Sequence, residues 1–60
     1  MKEVFLINFR TAEGKYWYYS EEAWIDNITK ATEYKTYIDA TDKLKTLEKG
    51  VYQIEKFFVV

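Results

Sequence analysis

The side chains that usually carry chemistry are scarce in this sequence. Histidine and cysteine are both absent, which removes the imidazole base, the thiolate nucleophile and the ligands of ordinary structural zinc sites. The single serine, Ser20, precedes Glu21-Glu22 and reads as a helix cap. Two carboxylate pairs remain, Glu21-Glu22 and Asp39 with Asp42. Both fall at first-turn positions, where a helix dipole favours solvated acids and general acid–base work has no cleft to occur in. Asp26-Asn27 lacks the spaced oxygen ligands of a calcium loop and reads as a turn. The expectation is a non-catalytic protein with no cofactor and no metal.

What the sequence has in excess is aromatic. Phe, Trp and Tyr make up 20% of the 60 residues. They are densest in Lys15-Tyr16-Trp17-Tyr18-Tyr19, whose alternation along a strand sends the rings to both faces of a sheet. The candidate binding residues are Asn8, Arg10, Lys15, Tyr16 and Tyr18. Tyrosine and arginine are enriched at the energetic centres of protein interfaces, so a protein partner, or a second copy of the chain, is the expected ligand. The alternative is stacking of single-stranded nucleic acid on an aromatic sheet surface. Nine basic residues against ten acidic ones, interspersed, weigh against it.

These residues need elements to position them. Residues 3–10 are β-branched and aromatic, and Gly14 follows where a left-handed residue closes a hairpin. Residues 15–20 form the returning strand. A three-residue loop pairs Arg10 with Tyr16 and Phe9 with Trp17, leaving Tyr16 and Tyr18 on one face with Leu6, Asn8 and Arg10. A four-residue loop exchanges the two sets of rings between faces. The first is preferred because it sets Trp17 beside Phe5, Ile7 and Phe9. Ser20 to Ala23 suggests a short helical turn near 21–28, with Glu21 and Glu22 in its first turn, and residues 31–35 suggest a short third strand.

Thr36 stands three residues before Asp39, and Tyr37, Ala40, Leu44 and Leu47 recur at helical spacing, with Lys49 on the outer side. Gly50 is the expected left-handed end of that helix. Residues 51–60 read as a last strand with Tyr52, Ile54, Phe58 and Val60 facing the core. The chain is thus a single small α+β domain over residues 1–60, a mainly antiparallel sheet in the order β-β-turn-β-α-β with one helix packed on one face.

Trp24, the stretch Ala31-Thr32-Glu33-Tyr34-Lys35-Thr36, the helix positions Ala40, Leu44 and Leu47, and Tyr52-Gln53-Ile54 resemble, in that order, small uncharacterised proteins of Gram-positive bacteria and their phages. The resemblance covers about the last two-thirds of the chain and consists of structural positions. It implies the same fold and a phage or prophage setting, in which small proteins act by occupying a host protein's surface.

Size explains much of the aromatic excess. A chain this short buries only about 60% of the surface its unfolded form exposes, and without cysteine it has no disulfide to add stability. Large rings and self-association are the remaining means, and of the two strands that carry the apolar runs Val4 to Ile7 and Phe57 to Val60 at least one is expected at a sheet edge, which suits a homodimer. The first run is too short for a signal-peptide core or a membrane span, so a cytoplasmic protein is expected.

Overall fold

A computed structural model of the chain describes residues 1–21, 23–47 and 50–59. Glu22, Lys49 and Val60, read above as a first-turn acid, a helix outer position and a core position, lie outside the described residues. The first hairpin joins β1 (Lys2–Arg10) to β2 (Tyr16–Ser20). Its register pairs Asn8 with Tyr18, Phe9 with Trp17 and Arg10 with Tyr16, which is the three-residue loop. Two backbone bonds hold that loop, from the Thr11 amide to the Lys15 carbonyl at 2.8 Å and from the Gly14 amide to the Thr11 carbonyl at 2.9 Å. Gly14 takes a φ of 89°, a conformation that side chains with a Cβ rarely adopt.

Two more strands complete a four-stranded sheet in the order β3-β2-β1-β4, with β3 at Ala23–Ile25 and β4 at Gln53–Val59. Every pairing is antiparallel. β4 lies along β1 from Lys2 opposite Val59 to Asn8 opposite Gln53. This α+β architecture agrees with the sequence reading, but the third strand comes earlier than expected. Among the described residues of 21–28 no α-helical turn forms, and the Ser20 hydroxyl donates to the Lys30 carbonyl at 2.8 Å instead of capping a helix. Pairing Tyr19 with Trp24 brings their rings edge to face at 5.5 Å, a contact that a helix there would forfeit.

Residues 31–35 are not a strand. They contribute one bridge, in which Tyr34 and Phe5 exchange both backbone bonds at 2.8 and 2.9 Å, while the Thr32 amide donates to the Tyr19 carbonyl at 3.0 Å. The segment occupies the side of β1 that β2, paired only from Asn8 to Arg10, leaves open.

The helix α1 (Tyr37–Leu44) begins where Thr36 accepts the Asp39 amide at 3.1 Å. It stops short of Gly50. Bonds of the tighter three-residue type tie Thr46 to Lys43 and Leu47 to Leu44, and the Thr46 hydroxyl donates to the Lys43 carbonyl at 2.7 Å. Gly50 is not in the left-handed region. A Cβ there would lie 2.5 Å from Cζ of Tyr52, so a larger residue would require that ring to shift.

α1 covers the sheet face that carries Phe5, Ile7 and Phe9. Ile7, Tyr19 and Ala40 are buried there, with Trp24, Tyr34, Leu44, Leu47, Tyr52 and Ile54 packed round them. The Trp24 ring stacks on Tyr52 at 5.0 Å and meets Phe9 edge-on at 4.9 Å. Phe58, expected in this core, is instead 62% exposed, and Tyr37 keeps only an edge contact with Phe5. Phe58 lies opposite Glu3 near the end of β4, and Tyr37 is the first residue of the helix.

The other face is half covered. A single 3-10 turn at Ile28–Lys30, capped by Asn27, delivers Ala31 onto Val4 and Leu6, and Tyr18 and Phe57 pack against that cluster. β1 is therefore buried on both sides.

Candidate functional site

Alternation along β1, β2 and β4 brings Asn8, Arg10, Tyr16, Tyr18, Gln53, Glu55 and Phe57 to the face opposite the helix. Three rings run in a row across it. Tyr16 and Tyr18 stack at 6.5 Å with planes 26° apart, and Tyr18 meets Phe57 edge-on at 6.4 Å. The Arg10 guanidinium lies 6.0 Å above the Tyr16 ring, so the hairpin end of the row carries the positive charge.

The middle of the face is polar and negative. Glu55 Oε1 accepts from Asn8 Nδ2 at 2.8 Å and from Gln53 Nε2 at 3.0 Å. Partial burial holds the Tyr18 hydroxyl above its ordinary pKa, reinforced by the nearby Glu55 carboxylate and then by Tyr16. Tyr18 thus remains a neutral hydrogen-bond donor throughout the physiological range.

Of the residues singled out from sequence, Arg10, Tyr16 and Tyr18 are brought together, with Tyr16 39% exposed. Asn8 shares their face but is not a surface contact. It is completely buried, its Oδ1 has no hydrogen-bond partner among the described residues, and its place beneath Glu55 makes it a support. Lys15 is separated from them. It stands opposite Thr11, one residue before Tyr16, so strand alternation assigns it to the other face. Sequence reasoning missed Gln53, Glu55 and Phe57. The signal was the alternation of β4 itself, whose second face was left without a role.

Beside the aromatic row lies a mainly apolar hollow of about 360 Å³, walled by Val4, Leu6, Ile28, Phe57, Phe58 and Val59 together with the polar Thr29 and Glu33. Among the described residues no three acids gather as a metal cluster would require.

No protein-family model, curated protein or solved structure matches the chain. The functional reading therefore stands on the geometry of this face. Among the described residues no helix is long and apolar enough to cross a membrane.

Proposed function

We propose that the protein is a non-catalytic interaction module that binds a protein partner through the sheet face opposite its helix. The observation that supports this most directly is the row Tyr16–Tyr18–Phe57, with Arg10 at one end and the apolar hollow at the other. Stacked tyrosines bound by an arginine and an apolar socket are the composition of an interface centre. A complementary partner surface carries an apolar side chain for the hollow and hydrogen-bond donors for Glu55. The resemblance given above extends the proposal to a cytoplasmic phage or prophage accessory protein whose partner belongs to the host. Nucleic acid fits the face less well, because the Glu55 carboxylate lies among the rings and Lys15 is on the opposite side.

Tyr16→Ala and Arg10→Ala, made singly, test the proposal, since both side chains are exposed and their loss spares the core. Each is expected to reduce capture of a defined partner from host lysate, with the circular dichroism spectrum unchanged. Capture equal to the wild type would move the site elsewhere. Oligonucleotide binding that weakens steeply with salt, with a slope reduced by Arg10→Ala, would replace the protein partner with nucleic acid.

A further inference from the structure

The outer edge of the sheet has an orientation that can be read from the bonds on the far side of β1. Phe5 spends both its amide and its carbonyl on Tyr34. Phe5 and Lys56, directly opposite each other in the β1–β4 ladder, are therefore a pair that exchanges no backbone bonds. Alternation then turns the amides and carbonyls of Ile54, Lys56 and Phe58 away from β1, towards the free edge. Among the described residues, no backbone bond outside the β1 ladder reaches them.

Native sheets commonly guard such an edge with a lysine. Lys56 does not serve here, because its ammonium turns back over its own sheet to Glu3 at 3.0 Å and lies 6.0 Å from the Phe58 ring centre. The edge is instead flanked by Phe58, 62% exposed, and Val59, 37% exposed. At the other end of the sheet β3 is too short, at three residues, to template another chain.

We infer that β4 is the seam of a symmetric dimer in which two copies pair antiparallel, Phe57 opposite Phe57. A two-fold axis normal to the sheet reverses the strand and preserves its faces, so residues of like parity meet across the seam. Charge then selects the register. Centring on Glu55 opposes two carboxylates, and centring on Lys56 opposes two ammonium groups, each destabilising. Centring on Phe57 pairs Lys56 with Phe58 and Glu55 with Val59, with no like charges opposed. In this register both Lys56–Phe58 pairs lie at outward-pointing backbone and exchange their bonds across the seam. Sliding one residue further, to Phe58, shortens the overlap. The hollow opens beside the seam, and Phe57 of the second copy extends its apolar wall.

Sedimentation over a range of concentrations tests the seam. The wild type is expected to rise from 7.3 kDa towards twice that mass. Phe58→Lys places an ammonium opposite Lys56 of the second copy and is expected to hold the chain at 7.3 kDa where the wild type is dimeric. Adding Lys56→Glu to that variant restores attraction across the seam and should restore the dimer. A wild type that never exceeds 7.3 kDa, or Phe58→Lys that dimerises like the wild type, overturns the inference. So does a double variant that folds but stays monomeric. Hydrogen exchange on the wild type gives an answer independent of variants. The amides of Lys56 and Phe58 should gain protection with concentration, while those of Glu55 and Phe57, bonded to β1, are protected throughout. Lys56 and Phe58 amides that stay open in a dimeric sample would place the interface elsewhere.

Discussion

The two faces of the sheet share the strand β1 and differ in what their burial accomplishes. On the helix side, Ile7, Tyr19 and Ala40 are sealed by α1 and a ring of aromatic and branched side chains, and hydrocarbon meets hydrocarbon almost throughout. On the other side, burial is incomplete and mixed: Val4 and Leu6 lie under Ala31, while the adjoining stretch buries an amide, leaves Tyr16 exposed and gathers a carboxylate among rings. The first face has the composition of a stabilising core. The second retains polar groups that a core selected for stability alone would not keep, and the binding function proposed above is one physical reason to keep them.

The largest test of that contrast is truncation on each side. Ile7→Ala leaves a cavity at a fully buried site and is expected to cost about 2–5 kcal/mol, comparable with the whole stability of a small cysteine-free domain. Tyr16→Ala, on the other face, should cost under about 1 kcal/mol. Chemical denaturation of both variants measures the difference, and equal costs would erase the distinction.

Asn8→Val gives a smaller effect of opposite sign. It removes a buried carbonyl oxygen without a partner among the described residues and leaves Gln53 on Glu55. Stability is expected to rise by about 1 kcal/mol, while affinity through the outer face falls as Glu55 loses its support. A variant that loses stability would show the amide to be structural.

The smallest effect is alkaline. Burial raises the pKa of Tyr34 on the helix side and of Tyr18 on the other, above the ordinary 10.0. The unfolded chain therefore loses these protons first. Their contribution is whole below pH 10 and disappears as pH rises through the folded values. Melting curves should decline above pH 10, and Tyr34→Phe or Tyr18→Phe should flatten the decline. A slope unchanged in both variants would assign it to other groups.

Much of this was legible in the residues themselves. Gly14 and the apolar alternation around it were enough for the first hairpin and its register, and Thr36 with Asp39 was enough for the start of α1, because each is decided by local chemistry. The second hairpin was not legible. Ser20 pairs with Ala23, and Glu21 after Ser20 adopts a φ of 42°, a conformation that glycine or asparagine would have announced. Glutamate takes it because Trp24 gains Tyr19, Phe9 and Tyr52 as neighbours, which are long-range contacts invisible to periodicity. The site was half legible for a related reason. Arg10, Tyr16 and Tyr18 sit on one hairpin, whereas Glu55 and Phe57 reach the same face only through the pairing of β4 with β1.

That pairing also orders events in time. The first hairpin needs only a short loop to close and can form within microseconds. β4 must find β1 across nearly the full length of the chain, and the entropy of closing that loop is lost before any ladder bond repays it. The slow step of folding is thus the arrival of β4. Until it arrives, Val4 and Leu6 lie beside an open edge, and the outer face lacks the carboxylate and the ring that complete it.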